Sequence, residues 1–309
     1  MKYIKIVGTG KYLPHQKVEN KELASILQVT EGYIEKMTGI QTRYYKKEES
    51  MVDMAVNAAK DAMQKTNILS NSIDFIIVSS TTNPYYMPGI SFFVQKECGM
   101  INAKCLDISA GCSGFINAFD IARSEIALGK AQRALIIGVD ALSDVIDKKD
   151  IGTAIVLSDG AGAVILEQTD EEKKYASLIQ SDAEHGDILV CKANSHITMN
   201  GKEIYKYAVT KPVEQLQQIL QNNKITIEEI KYLVPHQSNL RIMQAMANRL
   251  KLPEEKMYRN IQKRGNTFCA SIPIALDDIM QEEKLKEKDK ILLLGYGGGL
   301  NTGSILLEI

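Results

Sequence analysis

The 309-residue sequence contains no tryptophan, only four histidines, and five cysteines without a Cys-x-x-Cys pair. This odd, unpaired set argues against a disulfide framework or a zinc ribbon and favours a reducing compartment. No apolar run approaches the roughly 18 residues that a membrane-spanning helix needs. The chain also opens like a β-strand, with Met1-Lys-Tyr-Ile-Lys-Ile-Val, and not like a signal peptide. We therefore expect a cytoplasmic protein that binds no membrane.

Neither sign of charge is in excess. The sequence has 37 lysines and arginines against 38 aspartates and glutamates, so its formal net charge is −1. Such a balance gives no general affinity for polyanions, and we predict no nucleic-acid partner. The 45% of hydrophobic residues and 24% of charged residues are ordinary for a soluble globular protein long enough for two medium domains.

The stretch from Asp107 to Phe119 is the one that carries a chemical signal. An apolar run ends in small residues, Cys112 follows, and a helical pattern begins at Ser113. A cysteine at a helix N-terminus meets unpaired N–H groups and the positive end of the helix dipole, which lower the pKa of a thiol. Gly111 and Gly114 leave room for a substrate to approach. We predict that Cys112 is a nucleophile; the alternative is a small, buried, inert cysteine.

Strands and helices alternate along the chain, which predicts an α/β fold with mainly parallel strands. Four segments recur at an offset of 157 residues: Ile73–Val78 with Ile230–Pro235, Leu135–Gly138 with Leu292–Gly295, Cys112 with Cys269, and the opening strand with Gly162–Glu167. The repeat predicts two pseudo-symmetric halves, residues 1–160 with the cysteine and residues 161–309. The polar segment 169–202 carries no clear pattern.

Three loops of the second half lie at the ends of predicted strands or before a predicted helix. They contain His236, Asn266 and Gly297–Gly299. His236 stands in Val-Pro-His-Gln-Ser-Asn-Leu, and Asn266 in Gly-Asn-Thr. Since ligands of such sheets bind beyond the carboxyl ends of strands, we expect both side chains near Cys112. The other interpretation of Asn266 is a turn residue beside Gly265, and that of Gly297–Gly299 is a flexible turn.

Taken together, these motifs resemble the β-ketoacyl-acyl-carrier-protein synthase III family of the thiolase-like superfamily. The matching segments span nearly the whole chain: residues 8–14, 38–40, 109–115, 159–163, 234–241, 265–267 and 297–299. The resemblance implies a thiolase-like fold of two α/β halves in the layer order α-β-α-β-α. It also implies a homodimer.

The resemblance implies a decarboxylative Claisen condensation of an acyl thioester with malonyl-acyl carrier protein, which initiates acyl chains. Cys112, His236 and Asn266 would be the catalytic residues. The backbone N–H groups of Cys112 and Gly298 would form the oxyanion hole. Neither a cofactor nor a metal ion is expected, and the expected partners are acyl carrier protein and an acyl-CoA or acyl-carrier donor.

Several substrate-binding positions depart from the family pattern. Tyr33 stands where the family has the tryptophan that clamps the adenine of CoA, and Ile151 stands in place of an arginine. A second arginine position corresponds to Lys36 or Met37, of which we favour Met37. We therefore expect the first acyl group to arrive on a carrier protein, or on CoA that is held in another way.

Four further residues correspond to the family's substrate contacts. Phe268 replaces a small residue beside Asn266 and would reshape the cavity, and Met87 would wall the acyl pocket across the dimer. Lys206 and Arg241 would hold the phosphopantetheine or its carrier. The starter group cannot be derived from these residues.

Two other functions use the same motifs. A related enzyme would transfer the acyl group from the cysteine to an oxygen or nitrogen acceptor. A non-enzymatic partner subunit of a synthase pair is disfavoured by the intact Cys112, His236 and Asn266. A Rossmann dehydrogenase is disfavoured because Lys-Tyr-Leu-Pro follows Gly8-Thr-Gly10 in place of the glycines of a dinucleotide fingerprint.

Overall fold

The computed structural model describes residues 2–309. Its strands are β1 (Tyr3–Tyr12), β2 (Gln16–Glu19), β3 (Thr42–Tyr45), β4 (Phe75–Ser79), β5 (Lys104–Ile108), β6 (Arg133–Asp140), β7 (Gly160–Thr169), β8 (Tyr175–Ser181), β9 (Leu189–Val190), β10 (Thr198–Met199), β11 (Ile230–Pro235), β12 (Lys290–Gly297) and β13 (Asn301–Glu308). Its helices are α1 (Asn20–Leu27), α2 (Glu31–Thr38), α3 (Met51–Thr66), α4 (Ile90–Cys98), α5 (Gly114–Ala127), α6 (Ile151–Ala154), α7 (Gly201–Ala208), α8 (Lys211–Asn223), α9 (Leu240–Leu250), α10 (Ile261–Arg264) and α11 (Ser271–Gln281).

Two sheets form the body of the molecule. The first has the strand order β1-β7-β6-β4-β5, and the second has the order β11-β12-β13-β8. The central strands β4 and β6 are parallel and buried along their length, as the continuous apolar runs of the sequence predict. In the second sheet β11 and β12 are parallel in the same way.

The repeat of 157 residues is present in three of the four predicted matches. Strand β11 corresponds to β4, and β12 corresponds to β6; the turn and helix after Cys112 correspond to those around Cys269. The fourth match is wrong. Strand β7 belongs to the first sheet, where it pairs antiparallel with both β1 and β6.

The true counterpart of β1 is β8, which pairs antiparallel with β13 as β1 does with β7. The predicted boundary after residue 160 therefore separates β7 from the sheet to which it belongs. The division of the chain into two pseudo-symmetric halves stays a prediction, and the strands of the second sheet begin at Tyr175.

The layer order is α-β-α-β-α, as predicted. Helices α3 and α4 cover the outer face of the first sheet, and α7, α8 and α9 lie outside the second. Helices α5 and α11 lie between the sheets and contact strands of both. Their apolar faces are almost fully buried, so the central layer joins the two sheets into one core.

Glycines allow the two central helices to approach the sheets closely. Gly138 of β6 lies under the backbone of Cys269 and Ala270, where a Cβ atom would overlap the Cys269 carbonyl oxygen. By the same symmetry, a Cβ at Gly295 of β12 would stand 2.9 Å from the Cα of Ser113 and from a side-chain carbon of Ile116. The start of each central helix thus rests on a glycine of the sheet belonging to the other half.

Within residues 2–309, no helix combines the length and the apolar composition needed to cross a membrane.

We predict that Gly138→Ala destabilises the fold. The added methyl group meets backbone atoms, which cannot move aside as a flexible side chain can, so we expect a loss of about 2–4 kcal/mol in the free energy of unfolding. The matched control is Gly32→Ala, because a Cβ at Gly32 has no atom within 4 Å. Urea unfolding of both variants checks the prediction, and equal midpoints would contradict it.

Candidate active site

Cys112 stands where the first sheet meets the central layer. After β5, the chain makes a 3₁₀ turn, Gly111–Ser113, and α5 begins at Gly114. Gly111 has a φ of +58°, and a Cβ there would lie 2.6 Å from the carbonyl oxygen of Gly298. The backbone N–H groups of Gly298 and of Cys112 itself lie near the Cys112 sulfur and act to lower the pKa of its thiol.

Burial dominates the protonation of this thiol. Cys112 is 3% exposed, and burial raises its pKa to about 12, with the Asp140 carboxylate acting in the same direction. The two backbone N–H groups lower the pKa by less than burial raises it. The expectation of a lowered pKa is therefore wrong for the free protein, because helix position alone does not reveal how far a thiol is removed from water.

His236 follows β11 and is 2% exposed. Burial lowers the pKa of its imidazole to about 3, so the ring is neutral at physiological pH. Its Nδ1 lies 2.7 Å from the Ser271 hydroxyl oxygen, which also accepts the Gln237 N–H at 3.4 Å. The Ser271 oxygen thus accepts from Gln237, and the Ser271 O–H donates to Nδ1 of His236. Nδ1 is then an acceptor, so the favoured tautomer carries its proton on Nε2.

Asn266 is oriented through both ends of its amide. Its Oδ1 accepts a hydrogen bond from the Phe268 backbone N–H at 3.1 Å, and its Nδ2 donates to the Ser238 carbonyl oxygen at 3.3 Å. One amide proton therefore remains for a ligand. Phe268 holds this geometry with a φ of +45°, which is unusual for a large side chain.

One cavity of about 630 Å³ brings Cys112, His236 and Asn266 together. The side chains come from three loops that are distant in sequence, as predicted for strand-end loops. A second cavity, of about 370 Å³, lies on the other side of Cys112 and includes Thr81, Ser109 and Gly298. We call the first the entrance cavity and the second the acyl-side cavity. Four residues line both: Cys112, Leu189, Ile197 and Phe268.

The predicted substrate-binding residues divide into two groups. Tyr33, Ile151, Arg241 and Phe268 line the entrance cavity. Lys206 and Met87 line neither cavity: the Lys206 ammonium lies 3.9 Å from Glu203 on an exposed side chain, and Met87 is 85% exposed. Met37, favoured at the second arginine position, also lines the entrance cavity, with its sulfur 3.7 Å from an Arg241 nitrogen.

Sequence reasoning missed three hydroxyl groups of this site. Ser271 contacts His236, whereas the hydroxyls of Ser238 and Tyr296 lie 2.6 Å apart beside it. The Tyr296 ring packs edge-on against His236, with 5.4 Å between ring centroids. Ser238 lies two residues after His236, and Tyr296 precedes the Gly297–Gly299 turn, so position next to a known motif was the available signal.

Among residues 2–309, one cluster of three possible metal ligands is present, formed by Asp182, Glu184 and His185. The His185 Nδ1 lies 3.4 Å from an Asp182 oxygen, on exposed side chains. Exposed groups of this kind are common without an ion, and none of them lines either cavity.

Comparison with known proteins places this arrangement in a family. Residues 106–193 match the family model of 3-oxoacyl-[acyl-carrier-protein] synthase III, and residues 220–309 match the model of its C-terminal part. A β-ketoacyl-[acyl-carrier-protein] synthase III of Clostridium botulinum (strain 657) is 40% identical over 99% of both chains. The chain belongs to the β-ketoacyl-acyl-carrier-protein synthase III family. A Clostridium novyi synthase III is 37% identical over 99% of this chain and 98% of its own.

Solved structures of the synthase III family agree in fold. The 3-oxoacyl-[acyl-carrier-protein] synthase III of Aquifex aeolicus has a TM-score of 0.96 and 38% identity, covering 99% of this chain and 100% of that one. The priming β-ketosynthase of the R1128 polyketide pathway has a TM-score of 0.95 and 29% identity, covering 99% and 96%. The thiolase-like fold predicted from the sequence is confirmed.

We predict that His236 does not titrate between pH 5 and pH 8. Burial holds its pKa at about 3 in the folded chain, against an ordinary value of 6.5. Long-range ¹H–¹⁵N NMR spectra of the histidines, with the signal assigned by its loss in His236→Gln, would show an unchanged neutral ring. A midpoint between pH 5 and pH 7 would contradict the prediction.

The same pKa has a consequence for stability. The unfolded chain binds a proton at His236 as the pH falls below 6.5, whereas the folded chain does not until about 3. Folding is therefore favoured by this residue above pH 6.5, and that contribution is lost as the pH falls toward 3. Thermal unfolding of His236→Gln should show a weaker loss of stability on acidification than the parent chain.

Proposed function

We propose that this synthase III family member condenses an acyl thioester with malonyl-acyl carrier protein, releases CO2 and forms a β-ketoacyl-acyl carrier protein. The observation that carries the proposal is the single cavity holding Cys112, neutral His236 and the oriented amide of Asn266. The proposed catalytic residues are these three. The relatives are named β-ketoacyl- or 3-oxoacyl-[acyl-carrier-protein] synthase III, and that name states the product of the proposed reaction.

In the first half-reaction, the Cys112 sulfur attacks the carbonyl carbon of the donor. The new carbon–sulfur bond forms as the donor's bond breaks, and the cysteine proton passes to the leaving thiol. The N–H groups of Cys112 and Gly298, which contact the sulfur in the free chain, would then donate to the acyl oxygen. An oxyanion donor of this kind is typically worth about 3–4 kcal/mol in the transition state.

In the second half-reaction, the malonyl unit enters the entrance cavity and loses CO2. The bonding electrons pass to the thioester oxygen, which accepts hydrogen bonds from His236 Nε2–H and Asn266 Nδ2–H. The enolate carbon attacks the acyl-cysteine, a carbon–carbon bond forms, and the cysteine sulfur leaves and regains a proton. A neutral imidazole with its proton on Nε2 and an amide suit this step because both are hydrogen-bond donors in their resting protonation states, so no proton has to be taken up first.

The acyl group would lie in the acyl-side cavity. Phe268, Leu189 and Ile197 line both cavities, so they separate the acyl chain from the space that the malonyl unit needs. Thr81, Thr82 and Ser109 give the acyl-side cavity a partly polar wall, and Leu142 and Val145 give it an apolar one.

The mouth of the entrance cavity would receive both donors. Tyr33 is 41% exposed there and offers a ring for stacking, while Ile151 offers no cation. Arg241 and Lys202 are the basic residues of the lining and suit the phosphate of phosphopantetheine. Acyl-CoA or an acyl carrier would supply the first acyl group, and the exposed Lys206 would contact an acidic carrier outside the cavity.

We propose a homodimer, and the open edge of the first sheet supports it. Among the described residues, β5 has a strand neighbour on one side only, and Leu106 on it is 38% exposed. Three large side chains nearby in sequence are also exposed, Tyr86 at 94%, Met87 at 85% and Phe92 at 50%. An open edge with such a patch is suited to pairing with a second copy, which would carry Met87 toward the acyl pocket of its neighbour.

Two further expectations belong to this proposal. All five cysteines are free thiols, which suits a reducing compartment such as the cytoplasm. Transfer of the acyl group to an oxygen or nitrogen acceptor is disfavoured. The relatives by sequence and the relative by structure are all named as β-ketoacyl- or 3-oxoacyl-acyl-carrier-protein synthases.

We predict a covalent acyl-enzyme on Cys112. Incubation with a panel of acyl-CoA and acyl-carrier donors should add the mass of one acyl group, which intact-protein mass spectrometry detects. Cys112→Ala should gain no mass because it lacks the nucleophile, and Cys269→Ala is the matched control that keeps it. Added malonyl-acyl carrier protein should then discharge the acyl group with release of CO2.

The donor panel also tests the altered CoA contacts. Faster loading from the acyl carrier than from acyl-CoA is expected, because Ile151 provides no cation for the adenine. Equal rates would contradict that expectation. No loading from any donor would contradict the proposed function.

We predict that Leu106→Arg converts a dimer into a monomer. A charge placed on the open edge of β5 cannot be solvated once a second copy covers it. Sedimentation velocity measures the change, and Ile26→Arg is the control, since Ile26 is 62% exposed on α1, away from this edge. A wild-type chain that sediments as a monomer would contradict the dimer.

A further inference from the structure

Two hydroxyl groups in the entrance cavity have no role in the reaction as described so far. Tyr296, at the end of β12, is 2% exposed, and Ser238 lies two residues after His236. Their oxygens are 2.6 Å apart, and both residues line the cavity beside Cys112, His236 and Asn266. Neither hydroxyl has another hydrogen-bond role in the reaction, although both belong to the polar part of the lining that holds His236 and Asn266.

The hydrogen-bond balance of this pair leaves one proton unused. Each hydroxyl carries one proton, and the bond between the two oxygens uses one of them. A phenol is the more acidic of the two groups, so Tyr296 is the donor and Ser238 the acceptor in the favoured arrangement. The Ser238 O–H then points away from Tyr296, and its donor strength is increased because its oxygen is already polarised.

The hydroxyl proton of Ser238 that Tyr296 leaves unused belongs to a residue hydrogen-bonded to both His236 and Asn266, the proposed donors to the malonyl unit. The Ser238 carbonyl oxygen accepts the Asn266 amide at 3.3 Å, and the Ser238 N–H donates to the His236 carbonyl oxygen at 2.9 Å. The hydroxyl is carried by the same residue, while the Tyr296 ring holds the imidazole from the side. Ser238 is thus hydrogen-bonded through its backbone to both His236 and Asn266, and its side chain lines the same cavity as theirs.

We propose that the Ser238 hydroxyl, oriented by Tyr296, is a third hydrogen-bond donor to the thioester oxygen of the malonyl unit. It acts with His236 and Asn266 when that oxygen becomes the enolate oxygen, and it has no part in loading Cys112. Tyr296 is a positioning residue that acts through Ser238. This inference rests on the proposed condensation and adds a donor to its second half-reaction.

The two half-reactions separate this role from a structural one. Loading is followed by intact-protein mass spectrometry with an acyl donor alone. Condensation is followed in a single turnover, in which acyl-enzyme is mixed with malonyl-acyl carrier protein and the product and CO2 are measured. For Ser238→Ala we expect loading within twofold of wild type and condensation slower by about tenfold, since a donor to a developing charge is lost.

Tyr296→Phe keeps the ring against His236 and removes only the hydroxyl. We expect a smaller loss of condensation than in Ser238→Ala, and no further loss in the double variant, because the two residues act as one unit. Ser238→Thr keeps a hydroxyl and should recover most of the rate. The matched control is Tyr207→Phe, because the Tyr207 hydroxyl also lies 2.6 Å from another hydroxyl, that of Thr302, but Tyr207 lines neither cavity.

The outcomes are distinct. Condensation by Ser238→Ala at the wild-type rate overturns the proposal, and so does an equal loss in loading and condensation, which indicates a structural role. Independent, additive losses in the double variant overturn the role of Tyr296. A wild-type chain that loads but releases no CO2 contradicts the proposed condensation itself. Thermal melting of each variant confirms that it is folded, and Tyr296→Phe provides the test should Ser238→Ala fail to fold.

Discussion

The start of each central helix rests on a glycine of the opposite half, and the positions of the proposed catalytic groups depend on this contact. Gly295 admits the turn that carries Cys112, and Gly138 admits the turn that carries Phe268 and Cys269. Any side chain at either glycine would push a turn away from its sheet. Close packing of backbone on backbone thus sets the distance between loops that are more than 100 residues apart in the chain.

The second constraint is the removal of water from these loops. Burial raises the pKa of the Cys112 thiol and lowers that of the His236 imidazole, so both groups are neutral in the free chain. The backbone N–H groups of Cys112 and Gly298 stabilise a developing negative charge more strongly in such surroundings than they would in water. Water is absent there, so the charge has few other hydrogen-bond donors. A site without water favours neutral hydrogen-bond donors that do not titrate, such as the amide of Asn266.

Much of the fold was accessible from the sequence because apolar periodicity reports burial. The helix predicted after Cys112 is present as α5, and the apolar runs Ile73–Val78 and Leu135–Gly138 lie in or overlap β4 and β6. The match of β7 with the first strand was wrong: it satisfied the offset of 157 residues, but β7 lies in the same sheet as β1, and the spacing of residues does not reveal antiparallel pairing. Strand β8 escaped notice because its residues are only half-buried. The cavity joins Cys112, His236 and Asn266 as expected, yet the meeting of Ser238 with Tyr296 follows from folding alone.

The position of Cys112 between two cavities has a kinetic consequence under the proposed function. The acyl-side cavity stores the first substrate, while both thioesters approach through the same opening. The first carrier must therefore depart before the second can bind, and an excess of either donor occupies the opening at the expense of the other. Chain initiation by such an enzyme would respond to the ratio of the two thioesters more than to the amount of either one.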